Sequence, residues 1–121
     1  FEGKSHKAAV EKAKVDLQIN NNKILDTKEK LALLQRKTKS DYDLANKKVS
    51  VSLQQMIIAK NNLTLASRQF EEGLQDVTER LEAENEYYKQ SLSYFNQILN
   101  QRIAATEILK VNGNLYQTIV R

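Results

Sequence analysis

The side chains best placed for chemistry are acidic. Glu79, Glu82 and Glu86 recur at helical spacing, so one face of a helix could present several carboxylates, as metal-binding helices do. The di-metal carboxylate pattern also sets a histidine three residues after a glutamate, and none stands there. His6 is the only histidine, far from the glutamates, and there is no cysteine to give a thiolate ligand or a disulfide. Neither a phosphate-cradling glycine loop nor a nucleophile elbow occurs. The sequence therefore predicts no catalytic residue, no metal and no cofactor. The glutamates at 79, 82, 84 and 86 are better explained by the start of a helix, where the backbone dipole favours negative charge.

The elements that carry these residues follow from what is missing. Proline is absent, and the three glycines stand at positions 3, 73 and 113. Nothing between them must break a helix. The sequence predicts one all-α unit over 1–121: a helix from about 4 to 71, a turn at about 72–75, a second helix from about 76 to 112, and a short tail over 113–121. Gly73 supplies the turn conformation, and Asp76 caps the following amides with Glu79 three residues on. Asn112-Gly113 reads as the second helix's end. A first helix of that length would extend ~100 Å.

Heptad spacing gives the packing. One row in the first helix runs Val10, Leu17, Ile24, Leu31, Thr38, Ala45, Ser52, Ala59 and Ala66. A companion row runs Tyr42, Val49, Met56, Leu63 and Phe70. A seven-residue repeat held this long predicts a long antiparallel coiled-coil hairpin. A further row, Leu44, Val51, Ile58 and Leu65, lies well around the same helix and fits either a wide core face or a helix with neighbours on two sides. In the second helix the expected core row is Leu74, Val77, Leu81, Tyr88, Phe95, Ile98, Ala105 and Leu109, widened by Leu92, Leu99, Ile103 and Ile108.

Charge adds little about partners. Residues 1–72 hold fourteen Lys/Arg and nine Asp/Glu, against five and six in 73–121. The lysines are scattered and interleaved with acids, as on a solvated face, and exposed aromatics do not alternate with them as a nucleic-acid groove requires. No apolar run is long enough for a membrane helix. The chain opens on Phe1, with no signal peptide, and reads as a piece of something larger.

The residues around the turn carry a resemblance. Arg68, Phe70, Gly73, Leu74, Glu79, Leu81, Glu82 and Ala83 match, in order and spacing, the tip motif of the TolC-like outer-membrane efflux protein family. Phe1-Glu2-Gly3 resembles the family's exit from a membrane strand, and Gly113-Asn114-Leu115 the end of its repeat. Lys4, Arg80 and Asn112 depart from the pattern. The resemblance implies one periplasmic hairpin, a fragment of a trimeric α-barrel whose parent protein sits in the outer membrane of a Gram-negative bacterium. It implies homo-trimers, a periplasmic adaptor (membrane fusion) protein and an inner-membrane pump as partners, and no nucleic acid. The tip, Phe70, Gly73, Leu74, Gln75 and Asp76, would then dock the adaptor and gate the exit. Lateral packing would fall to Tyr42, Leu44, Val49, Val51, Met56, Ile58, Leu63 and Leu65.

Leu74 is also a candidate anchor on its own account, being apolar at a tip with little core to enter. The isolated chain would leave its lateral rows bare and would self-associate through Leu44, Val51, Ile58 and Leu65. The competing expectation is a stand-alone coiled-coil interaction module, such as an adaptor hairpin or a scaffold.

Overall fold

A computed structural model describes residues 2–120, with side chains through Gln117. Phe1, expected at the strand exit, and Arg121 lie outside the described residues. Two helices, α1 (Glu2–Glu71) and α2 (Val77–Val120), fold back on each other as an antiparallel hairpin. The 70 residues of α1 make a rod of about 105 Å, and the 44 of α2 one of about 66 Å.

The unequal lengths govern burial. On α1 the first side chain to be even half-buried is Leu31, and everything described before it is exposed. Val10, Leu17 and Ile24 hold the heptad register of the seam, but α2 does not reach back far enough to cover them. Beyond Leu31 the row continues as Thr38, Ala45, Ser52, Ala59 and Ala66, and these are the buried residues of α1. All five are small, which lets the two backbones approach closely. Ala59 and Ser52 are 3% and 4% exposed, while no large side chain is fully buried among the described residues. Tyr42, Val49, Met56, Leu63 and Phe70 flank this row, half-buried.

The hydroxyls in the seam satisfy themselves locally. Thr38 Oγ1 donates to the carbonyl of Gln35 at 3.0 Å, and Ser52 Oγ to that of Val49 at 2.9 Å. A small polar residue can thus occupy a buried position without leaving an unpaired donor. Two amide pairs cross the seam: Gln101 Nε2 donates to Asn46 Oδ1, and Gln35 Nε2 to Asn112 Oδ1 at 3.3 Å. The members of each pair stand equally far along the chain from the middle of the turn. Both therefore mark one register, with no slip between the helices.

Two expectations need correction. The second helix does not end at Asn112-Gly113, and the expected tail is helical through Val120. Gly73 is the only glycine with a positive φ, so Gly113 stays within the helix. Packing sustains it there: Val111 is buried, Leu115 is half-buried, and Asn112 takes the bond from Gln35. The core face of α2 also differs from the expected one. Leu74, Val77, Leu81, Tyr88, Leu92, Phe95, Leu99, Ile103 and Leu109 are all exposed. The seam uses Ala83, Tyr87, Tyr94, Ile98, Ala105, Ile108 and Val111, with Gln90, Gln97 and Gln101 among them. Only Ile98, Ala105 and Ile108 of the expected set face α1. α2 carries apolar residues around much of its circumference, and one partner helix can cover only one stripe.

Candidate functional site: the hairpin tip and its two flanks

The turn is built by hydrogen bonding from the last residues of α1. Gly73 has φ +72°. Its amide donates to the carbonyl of Phe70 at 3.0 Å, and the amide of Leu74 donates to that of Gln69 at 2.8 Å. This pair of bonds is the Schellman closure, with Gly73 in the left-handed position that a Cβ disfavours. The Gln75 amide adds a third bond, to the same Gln69 carbonyl at 3.3 Å, and the Glu72 amide reaches Arg68 at 3.0 Å. The carbonyls of Arg68, Gln69 and Phe70 are thereby satisfied within the turn.

α2 starts where Asp76 Oδ1 accepts from the Thr78 amide at 3.4 Å. Asp76 is a helix cap, and that function explains its position without any gate contact. Asp76→Ala is expected to lower the thermal stability of the hairpin by about 1 kcal/mol, while Asp76→Asn retains most of it. Thermal unfolding followed by circular dichroism checks the difference, and equal loss in both variants would show that the carboxylate does something other than cap.

Just above the turn the two helices are joined by Arg80, whose guanidinium carbon lies 5.4 Å from the centre of the Phe70 ring. Both residues are half-buried. Arginine fits here because its planar cation can lie on an aromatic face while its stem covers the seam. Leu74 remains without cover at 70% exposure. A Schellman turn often packs its C″ residue against the preceding helix, and Leu74 does not. Gln75, Glu71 and Glu72 are exposed beside it. The tip thus offers an apolar side chain ringed by polar and acidic groups, over a backbone with nothing within 4 Å of the position a Cβ at Gly73 would take.

The flanks carry the remaining apolar surface. Leu44, Val51, Ile58 and Leu65 each stand one residue before a buried seam residue of α1, and all are exposed. Three of them line shallow grooves with Glu86, Gln90, Ser93 and Gln97 of α2. Glu86 and Ser93 precede the seam tyrosines Tyr87 and Tyr94 by one residue. Tyr88 and Phe95 follow those tyrosines by one, so they turn about 100° the other way, onto the opposite broad face. Leu81 extends that second row, and Leu92 and Leu99 lie about 40° further round, toward the outside of α2, where Leu99 shares a groove with Ile103. The hairpin therefore has two apolar rows on opposite flanks, one from each helix. They also stand level: Val51 with Phe95, Ile58 with Tyr88 and Leu65 with Leu81 lie within one residue of equal distance from the turn.

No known protein family, curated protein or solved structure matches this chain. Among the described residues no three His, Asp or Glu side chains form a group that could hold a metal ion, and no helix is long and apolar enough to cross a membrane. The expected lateral residues separate into two classes. Tyr42, Val49, Met56 and Leu63 belong to the seam inside the hairpin, whereas Leu44, Val51, Ile58 and Leu65 face outward. Sequence reading missed the outward face of α2, because its residues look like core. The signal available was their number: one α1 stripe, with Ala, Ser and Thr along its middle and Tyr42, Val49, Met56 and Leu63 on one side, cannot cover every large side chain on α2.

Proposed function

We propose that this chain is a stave of a helical duct: the periplasmic hairpin of a trimeric TolC-like outer-membrane efflux or secretion channel. In this reading it has no chemistry of its own. It walls a conduit, and its tip at Phe70–Asp76 docks a periplasmic adaptor protein and takes part in opening the exit.

What supports this reading above all is the pair of level apolar rows on opposite flanks. A hairpin that worked alone would keep one seam and a polar exterior. A hairpin with a neighbour on either side needs two lateral faces, and contacts between unlike faces extend or close into a ring. The resemblance of Arg68–Ala83 to the family's tip motif is a second support. The tip chemistry agrees with docking: a closed turn, an uncovered Leu74, and room for another backbone over Gly73.

The intact protein carrying this chain is expected to purify from outer membranes as a trimer in mild detergent. Recovery as a soluble monomer or dimer, without membrane strands, would overturn the duct and favour an independent coiled-coil module.

A further inference from the structure

We propose that Arg80 is a positioning residue for the tip: lying on Phe70, it closes the turn between the helices and so leaves Leu74 free for a partner. The docking half of this rests on the duct reading. The closure itself does not.

Two apolar contacts ordinarily hold such a turn, and both are missing. In a Schellman closure the second residue past the cap packs back on the third residue from the helix end, here Leu74 on Gln69. At the start of the next helix, the residue before the cap packs on the fourth helical residue, here Gln75 on Arg80. Neither pair is apolar, and Leu74 and Gln75 are both exposed. Val77, level with Phe70 across the turn, is 43% exposed and does not take their place.

What remains is the Phe70 ring, with the Arg80 guanidinium carbon 5.4 Å from its centre. The two side chains lean toward each other. Side chains tilt toward the N-terminus of their own helix, which carries Phe70 away from the tip and Arg80 down toward it. Arg80 stands three residues beyond Val77, so this tilt sets the long arginine over the ring.

Electrostatics within α2 does not account for a cation at this position. Arg80 closes the first turn of α2, the end at which the helix dipole disfavours positive charge. Asp76 and Glu84 stand four residues to either side, yet among the described residues Arg80 forms an ion pair with neither. Asp76 instead holds the Thr78 amide. The partner that the guanidinium takes is the ring. Among the described residues the next polar link across the seam is Asn46–Gln101, roughly 30 Å further from the tip. Arg80 also departs from the tip motif that its neighbours resemble, so this closure is particular to this chain.

Hydrogen exchange in the intact protein reads the closure through the amides of Gly73, Leu74 and Gln75, whose bonds make the turn. Arg80→Met keeps an apolar stem on the ring and removes the charge, whereas Arg80→Lys keeps a cation. Arg80→Met is expected to speed exchange of these amides about 2- to 5-fold, the worth of an exposed cation on a ring, and to weaken pull-down of the adaptor. Arg80→Lys should retain most of both. In a Phe70→Leu background, Arg80→Met should change exchange no further. Gln69→Leu supplies the apolar partner that Leu74 lacks. It should slow exchange and still weaken docking, because Leu74 turns in.

Unchanged exchange in Arg80→Met, or an equal rise in Arg80→Lys, would overturn the closure. Weaker docking with unchanged exchange would make Arg80 a direct contact of the partner instead of a positioning residue. Docking undiminished by Gln69→Leu, with exchange slowed, would overturn the release of Leu74. Faster exchange in Arg80→Met with full docking would leave the closure standing and remove the tip from the adaptor surface.

Discussion

Ala59→Leu is expected to destabilise the hairpin by about 1–3 kcal/mol, although it adds an apolar side chain to an apolar seam. Ala59 is the most buried residue described, at 3% exposure, in a row where every α1 contribution is small. Ala59 is enclosed but for the shallow groove it lines with Gln55, Ile58 and Gln90, so the added carbons must force the helices apart or turn out into that groove at a cost in rotamer strain. Separation at one level would weaken the contacts of Ala66, Ser52 and their partners, because the helices are stiff over a turn or more. The neighbouring substitution gives the control. Ile58→Ala removes three carbons from a side chain that is 58% exposed, and should change the stability of the isolated chain by less than about 0.5 kcal/mol. Hydropathy alone predicts the reverse ranking. Chemical denaturation of both variants, compared by midpoint at constant slope, decides between them. If Ala59→Leu is neutral or stabilising, the close approach of the helices is wrong.

On the proposed duct reading, Gly73→Trp is expected to weaken adaptor docking at the tip while the two helices still form. At φ +72° any L-residue with a Cβ is strained by about 1–2 kcal/mol, although no atom lies within 4 Å to clash with it. The cost is thus confined to the turn, and the seam from Leu31 to Phe70 is untouched. What the indole changes is the surface: it covers the backbone beside Leu74 that a partner would approach. Loss of affinity for the adaptor by at least ~10-fold, about 1.4 kcal/mol, is the expected size. Gly73→Asn separates the two effects. Asparagine tolerates the left-handed conformation and is small, so it should keep both the turn and most of the docking. Pull-down of the adaptor by the intact protein, with trimer content measured in parallel, gives the comparison. Normal docking by Gly73→Trp in an intact trimer would remove the tip from the partner surface.

These two positions also show how far each kind of information reaches. Gly73 is legible in the sequence, because φ above zero and the end of a long helix both favour a residue without a Cβ. The cap at Asp76 is legible for the same local reason. Ala59 is half legible: sevenfold spacing places it on the seam, but spacing cannot say that the seam is closed to a leucine. Tyr88 and Phe95 were not legible at all. Apolar residues at helical spacing look alike whether they meet a partner helix of the same chain or stand outside awaiting another molecule.

The sequence by itself determined the two helices, the turn between them and the antiparallel seam along Thr38–Ala66. Each of these depends on interactions within a few residues, or on a repeat that one helix carries whole. Only the tertiary structure decided which face of α2 enters the seam, that α2 runs on past Gly113, and that Leu44–Leu65 and Leu81–Leu99 are left on opposite flanks at one height. Those are properties of two helices in one register. α1 offers a single small-residue stripe, α2 offers apolar residues on several sides, and the choice among them is made by packing, with Asn46–Gln101 and Gln35–Asn112 marking where it settles.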